Sequence, residues 1–343
     1  MKFEKIILCT EAPHCTGLAY YYYLAFRDLL SEEKVVLIDE GERKYDASLI
    51  SRVERKMNYL SGKSSVEKMN LILEACKAGE KNVVILFNTS NIRYEEIKKL
   101  SNNKDIYLIH LLSDNPYGMY QSRMQLTFQT LPLFDMVCVF ARALAPVLYQ
   151  LGARRVERLP FGYCKYTHFI SENISEPEFP QSVYYFGTWT PVIEKWLGYL
   201  KDFDLHIEGS FWKKASDSNL RKIGSKPNPN TDKNMSLMAR KAGVVVNFTR
   251  ASHGCFHTMK TFELTVAGGA VVSNYSEEQS EFFKPDYAMC YFNTPNEMAH
   301  CISDLLTDRK KNMYIRNNAL KEALHHSYHA RAESLLFLLK SSS

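Results

Sequence analysis

The side chain with the clearest chemical demand in this sequence is Glu263, an acid flanked by Phe262 and Leu264. The apolar spacing from about Thr258 to Ala267 predicts a helix with Glu263 near its middle. A carboxylate among apolar neighbours needs a hydrogen-bond donor or a cation as its partner, because an unpaired charge is costly to bury. Glu263 is therefore the first candidate for binding a ligand.

Glu263 lies in a stretch with the order strand, loop, helix and strand. Val244 to Phe248 and Ala270 to Ser273 are apolar strand-like runs, and Gly268 with Gly269 is typical of a helix end. This order forms half of a parallel βαβ layer, and such layers bind ligands at the carboxyl ends of their strands. We therefore expect a binding site at that edge.

The loop ahead of this helix contains His253, Cys255 and His257. This spacing is not a usual zinc spacing, and the sequence offers no evident fourth ligand. We therefore expect no metal here, and we interpret a histidine of this loop, His253, as facing the ligand.

A second group of polar residues belongs to the apolar run Ile106 to Leu112, which predicts a strand. His110 lies within this run and Asp114 follows it, ahead of Asn115 and Pro116. A carboxylate at a strand end can remove a proton from a substrate hydroxyl or orient a substrate. The same residues are equally typical of an Asx turn before proline, so both interpretations stay open.

The elements that must position these residues alternate along the chain. Strand-like runs separated by helical patterns predict an α/β protein with two doubly wound parallel sheets. We expect a first domain over residues 1–165 and a second over 183–320, with a cleft between them. A proline-containing linker is expected over 166–182, and a C-terminal helix over 321–343.

Composition limits the function further. The chain has 343 residues and a net charge of +5 that is spread along its length, which does not indicate a nucleic-acid-binding protein. A preference for anionic ligands, or a peripheral membrane contact through an apolar C-terminal patch, stays open. Eight cysteines without a CxxC pair favour reduced thiols, and the N-terminal apolar run is shorter than a signal peptide, so we expect a cytoplasmic protein.

The motifs, taken in order, resemble those of GT-B glycosyltransferases, specifically the CgeB-like group related to family 4. The segment from Phe134 to Phe169 is similar to the run that closes the acceptor domain of that group. The segment from Asn247 to Ser273 is similar to the run that holds the donor nucleotide. The resemblance implies two Rossmann-like domains facing a cleft, with the last helix crossing back to the first domain.

The resemblance also implies roles for individual residues. Glu263 would accept hydrogen bonds from the ribose hydroxyls of the nucleotide, while Lys260 and Arg250 would face its diphosphate. Asn247 and Thr261 belong to the same donor run, and Gly17 to the loop after the first strand. The candidate catalytic residues are Asp114, His110 and His253.

The implied activity is transfer of a sugar from a UDP-, GDP- or dTDP-sugar, without a required metal or other cofactor. The acceptor would be a glycan, a protein or a small molecule, and both a retaining and an inverting outcome stay open. Cys255 stands where the family usually carries a second glutamate. The alternative is therefore a noncatalytic nucleotide-sugar-binding protein of the same fold.

Overall fold

A computed structural model describes residues 2–11, 17–39, 61–88, 92–118, 121–224, 232–249 and 256–341. The chain forms two compact units. Unit 1 comprises Met1–Pro160 and Tyr328–Ser343, and unit 2 comprises Phe161–Ser327. Each unit is built around its own parallel sheet.

Unit 1 contains a six-stranded sheet in the order β2-β1-β3-β4-β5-β6, within the described residues. Its four central strands are short, mostly apolar runs that are almost entirely buried, as expected for a parallel sheet covered by helices. The strands are β1 (Lys5–Cys9), β2 (Val35–Ile38), β3 (Asn82–Phe87), β4 (Ile106–Leu112), β5 (Met136–Val139) and β6 (Val156–Arg158). The helices between them are α1 (Gly17–Leu29), α2 (Lys63–Ala75), α3 (Tyr94–Ser101), α4 (Gln121–Thr130) and α5 (Leu144–Gln150).

Unit 2 contains a five-stranded parallel sheet in the order β11-β10-β9-β7-β8, again within the described residues. Its strands are β7 (Phe179–Phe186), β8 (Asp204–Glu208), β9 (Ala242–Asn247), β10 (Val271–Asn274) and β11 (Cys290–Phe292). Its helices are α6 (Pro191–Leu197), α7 (Ser218–Gly224), α8 (Asp232–Lys241), α9 (Met259–Val266), α10 (Glu277–Phe282), α11 (Pro295–Thr307) and α12 (Arg309–Ala323). The predicted α/β class with two doubly wound parallel sheets is confirmed.

One strand begins earlier than the sequence predicted. β7 begins at Phe179, so its first residues fall inside the range predicted as a linker. Phe179 pairs with Ala242, and a register shift separates this bridge from the regular pairing that starts at Val183. Pro180 and the acidic residues before it conceal this strand in the sequence, because they interrupt the apolar run.

The last helix, α13 (Tyr328–Lys340), belongs to unit 1 and packs against α1. The Tyr328 ring lies 5.2 Å from Tyr22 and 5.6 Å from Tyr21, measured between ring centroids. The Nε2 atom of His329 lies 2.6 Å from a carboxylate oxygen of Asp28 on α1. The predicted return of the C-terminal helix to the first domain is thereby confirmed.

The apolar C-terminal patch is divided between the core and the surface. Leu335 and Leu339 are buried in unit 1, whereas Phe337 is 71% exposed. Across the described ranges, no helix has the length and apolar character needed to cross a membrane.

Candidate functional site

The candidate donor site is built on α9, which follows β9 and precedes β10 in unit 2. The helix starts at a capping box, in which Thr261 Oγ1 accepts a hydrogen bond from Thr258 N at 3.1 Å. It ends where Gly268 adopts a φ of +90°, with Gly269 N donating to Leu264 O at 3.0 Å. This left-handed glycine end is the helix stop that the sequence predicted.

Glu263 occupies the middle of α9, as predicted, and is only 5% exposed. The Nε2 atom of His168 lies 3.6 Å from Glu263 Oε1. Within the described part of the chain, no group donates a hydrogen bond of normal length to this carboxyl. Burial is the main cause that raises the pKa of Glu263 to about 8. The positive charge of Lys260 lowers this pKa by a smaller amount, and the negative charge of Asp232 raises it.

His168 is the partner that the sequence analysis missed. It lies fully buried in the segment after β6, and its Nδ1 accepts a hydrogen bond from Cys164 N at 3.0 Å. The Nε2 atom therefore carries the ring proton of the neutral imidazole and directs it toward Glu263. Burial lowers the pKa of His168 to about 4, which keeps the ring uncharged at neutral pH.

A buried polar network fixes α9 against the neighbouring strands and helix. Thr261 Oγ1 donates to Gln279 Oε1 at 2.7 Å, and Asn247 Nδ2 lies 3.4 Å from Ser273 Oγ. Gln279 Nε2 donates in turn to the backbone oxygen of Asn274 at 3.1 Å. Thr261 and Asn247, which were predicted to belong to the nucleotide-sugar site, thus lie inside a network that connects β9, α9, β10 and α10.

The C-terminal end of α9 is held by Arg316, a fully buried residue of α12. Its guanidinium donates to the backbone oxygens of Gly268 at 2.7 Å, Arg240 at 3.0 Å and Gly243 at 3.0 Å, and also to that of Ala242. Burial, with the charge of Arg240 as a smaller cause, lowers the pKa of Arg316 to about 10. Arg316 therefore remains a cation that joins the end of α9 to α8 and β9.

His257, immediately before the cap of α9, is buried and bonded on both ring nitrogens. Its Nε2 accepts from Phe161 N at 3.2 Å, and its Nδ1 lies 3.1 Å from Glu278 Oε2. Aromatic side chains surround the ring, including Phe262 and Phe282 at 5.5 and 5.2 Å between centroids. His257 thus secures the start of α9 from inside the core.

Three residues singled out ahead of α9, namely Arg250, His253 and Cys255, lie outside the described residues. Lys260 is described, is partly exposed and acts on Glu263 electrostatically. No group of three or more His, Cys, Asp or Glu side chains that could hold a metal ion occurs in the described ranges.

The same edge of the unit 2 sheet carries an open cavity of about 340 Å³ beyond the carboxyl end of β7. Trp189, Lys195 and Lys214 line it. Trp189 Nε1 donates to Glu194 Oε2 at 2.6 Å, which orients the indole. The Glu194 carboxylate lines the same cavity, so its lining combines one aromatic ring with charges of both signs.

The carboxyl edge of the unit 1 sheet holds the second group of candidates. Asp114 is half-buried and accepts a hydrogen bond from Asn88 Nδ2 at 3.0 Å. Asn88 also bonds Ser113 through both its amide atoms, and its backbone has a φ of +49°. A strained residue of this kind is typical of functional sites, because the surrounding structure must stabilise it.

His110 and Gly17 are placed differently from Asp114. His110 is fully buried in β4 and stacks on Phe134 at 4.7 Å between ring centroids. Neither of its ring nitrogens has a hydrogen-bond partner among the described residues, and burial lowers its pKa to about 3. Gly17 begins α1 with a φ of +77°, a conformation that residues other than glycine rarely adopt.

Known proteins resemble this chain in part of its sequence and in its fold. A family model described as "Glycosyl transferase-like" matches residues 191–336, less than half of the chain. A sequence search among curated proteins finds no significant match.

Solved structures resemble the whole chain. Sucrose-phosphate synthase from Thermosynechococcus elongatus superposes with a TM-score of 0.69 at 13% identity, covering 99% of this chain and 100% of that one. HepE from Anabaena, in complex with UDP and glucose, superposes with a TM-score of 0.65 at 11% identity, covering 98% of this chain and 100% of that one. At such identities the likeness establishes the fold, and the chain has the GT-B architecture of glycosyltransferases.

Proposed function

We propose that this protein is a glycosyltransferase that moves a sugar from a nucleotide-sugar donor to an acceptor hydroxyl. The observation that carries the proposal is the Glu263 carboxyl, which is nearly buried on α9 of a GT-B fold and lacks a hydrogen-bond donor among the described residues. A carboxyl in this state has unused acceptor capacity, which the hydroxyl pair of a ribose would fill. The likeness to HepE, solved with UDP and glucose, supports a nucleotide-sugar as the ligand.

The groups around α9 suit the rest of such a donor. The diphosphate needs compensating positive charge, and Lys260 at the first turn of α9 offers it. The sequence prediction adds Arg250, which lies outside the described residues. The backbone amides at the start of α9 add partial positive charge. These groups stabilise the departing diphosphate in the proposed reaction without calling on a metal.

On the acceptor side, Asp114 is the residue we assign to the chemistry. Asn88 donates to one of its carboxylate oxygens, and no described residue donates to the other. That oxygen is available to accept the proton of an attacking hydroxyl in an inverting reaction, or to orient the sugar in a retaining one. The acceptor in this proposal is a glycan, a protein or a small molecule.

A donor panel tests the function in two steps. Thermal shift or calorimetry with UDP-glucose, UDP-N-acetylglucosamine, GDP-mannose and dTDP-glucose identifies the donor, and release of free nucleoside diphosphate then measures turnover. We expect one donor class to bind and to release its nucleotide, faster when an acceptor is present and slowly by hydrolysis when it is absent.

Two results would overturn this proposal. Absence of binding by all of the donors would remove the donor site. Binding of a donor without any nucleotide release, with or without acceptors, would support the alternative of a noncatalytic nucleotide-sugar-binding protein.

A further inference from the structure

Two backbone amides in the segment Phe161 to His168 fix two imidazoles next to α9. Phe161 N–H donates to Nε2 of His257, so the proton of that ring is on Nδ1 and faces Glu278. Cys164 N–H donates to Nδ1 of His168, so the proton of this ring is on Nε2 and faces Glu263. The two tautomers are opposite, and each is set by a backbone donor.

The Cys164 amide also decides the charge of His168. Protonation at Nδ1 would place two hydrogens against each other at a donor–acceptor distance of 3.0 Å, so the ring stays neutral as long as this bond exists. His168 therefore cannot supply the positive charge that would ionise Glu263 in the free protein. It can supply one N–H, which lies 3.6 Å from Glu263 Oε1, beyond normal hydrogen-bond length.

The other charged groups near Glu263 oppose one another. Lys260, on the same helix, favours the ionised carboxylate, while Asp232, at the start of α8, disfavours it. Arg240 and Arg316 direct their guanidinium groups to backbone oxygens around Gly268 rather than to Glu263. Burial therefore decides the charge of this carboxyl: it raises the pKa to about 8 and keeps the group mostly neutral at pH 7.

We infer that binding of a nucleotide-sugar releases a proton from Glu263, and that His168 is the positioning residue that holds the resulting carboxylate. The ionised carboxylate accepts charge-assisted hydrogen bonds from two ribose hydroxyls, and these bonds are about twice as strong as those that the neutral carboxyl accepts. The Nε2–H of His168 then donates to Oε1, and a charge-assisted bond of this kind is shorter than the separation in the free protein. The inference rests on the proposed function and adds a pH dependence to it.

The expected consequence is a donor affinity that rises with pH. Where Glu263 is protonated in the free protein and ionised in the complex, the dissociation constant falls about tenfold for each pH unit. The dependence levels off once the free carboxyl is itself ionised. The donor contributes no proton of its own, because a nucleotide-sugar carries a diphosphate diester without the titrating phosphate of a monoester.

The experiment is isothermal titration calorimetry of UDP-glucose and GDP-mannose between about pH 6.5 and 9. Two buffers of different ionisation enthalpy at each pH give the number of protons released. For the wild type we expect close to one proton at the lowest pH, a number that falls toward zero at the highest. Glu263→Gln should bind with a pH-independent dissociation constant and release no proton from this site.

Variants of His168 separate positioning from simple packing. His168→Phe keeps the ring but loses the Nε2–H, so the pH at which affinity levels off should move upward and the affinity at neutral pH should fall about tenfold. His168→Gln retains an N–H donor and should restore part of this shift. His257→Phe removes the other fixed imidazole, which faces Glu278, and should leave the pH dependence unchanged.

The outcomes distinguish this inference from the function on which it rests. Donor binding with no proton release and a constant affinity overturns the inference and leaves the proposed function standing. An unchanged levelling pH in His168→Phe overturns the role of His168. Absence of donor binding in the wild type overturns both proposals.

Discussion

The stability of unit 2 should fall as pH rises, and Glu263→Gln should remove part of this dependence. Glu263 has a pKa of about 8 in the folded protein and an ordinary value of 4.5. Between these values the unfolded chain has lost the proton and the folded chain keeps it, so the folded state binds more protons and loses stability with increasing pH. The contribution is fully present below pH 4.5 and is lost as the pH passes through 8.

The size of the effect follows from the difference between the two pKa values. Each unit corresponds to about 1.4 kcal/mol, so the whole window gives at most about 5 kcal/mol. The comparison with Glu263→Gln from about pH 6.5 to 8 isolates Glu263. His168, with a pKa lowered to about 4 in the folded state, is present in both proteins, so its contribution cancels. Over this range the wild type should lose about 2 kcal/mol relative to Glu263→Gln.

Urea unfolding followed by tryptophan fluorescence suits this measurement. The three tryptophans, Trp189, Trp196 and Trp212, all belong to unit 2, so their signal reports on the unit that contains Glu263. Glu277→Gln is the matched control, since Glu277 is exposed on α10. Parallel pH profiles for the wild type and Glu263→Gln would contradict this prediction, because they would mean that Glu263 is already ionised in the folded protein.

Three further predictions concern other residues. Arg316→Met should destabilise unit 2 by about 4 kcal/mol in urea unfolding, because it leaves four buried carbonyl oxygens without this donor. Arg309 is an exposed residue of the same helix, and Arg309→Met should cost less than about 1 kcal/mol. His110→Leu should stabilise unit 1 by about 1 kcal/mol at pH 7 in thermal unfolding, because it removes a buried polar ring that has no hydrogen-bond partner among the described residues. The variant should also lose less stability below pH 6.5, because the buried imidazole of the wild type resists protonation. A destabilised variant would contradict this prediction. Asp114→Asn should lower transfer about 100-fold with donor affinity unchanged, and normal turnover would remove Asp114 from the chemistry.

The sequence was most informative where the residues next to a position along the chain determine its environment. Strands such as β1, β3 and β5 are continuous or nearly continuous apolar runs, and Gly268 marks a helix end that needs a left-handed backbone. Glu263 was recognisable as a candidate binding residue, because a carboxylate between apolar neighbours on a predicted helix requires a partner. These features depend on short-range pattern and on the backbone geometry of single residues.

The partners of these residues could not be predicted in the same way. His168 meets Glu263 from a segment far away in the chain. The sequence analysis assigned His168 to the linker over 166–182, and the structure includes it in unit 2. Arg316 is one of several basic residues on α12, and only the folded structure shows that backbone carbonyls surround it. His110 interrupts an apolar strand without any sign that its ring nitrogens remain unbonded.

The dissociation constant of the donor for Glu263→Ala shows whether Glu263 binds the ribose of a nucleotide-sugar. Two hydroxyl donors bonded to one carboxylate contribute roughly 3 kcal/mol or more, so we expect affinity to fall at least about 100-fold at pH 8.5 while urea unfolding shows a folded unit 2. Glu277→Ala should bind the donor like the wild type. Unchanged donor affinity in a folded Glu263→Ala protein would contradict the account.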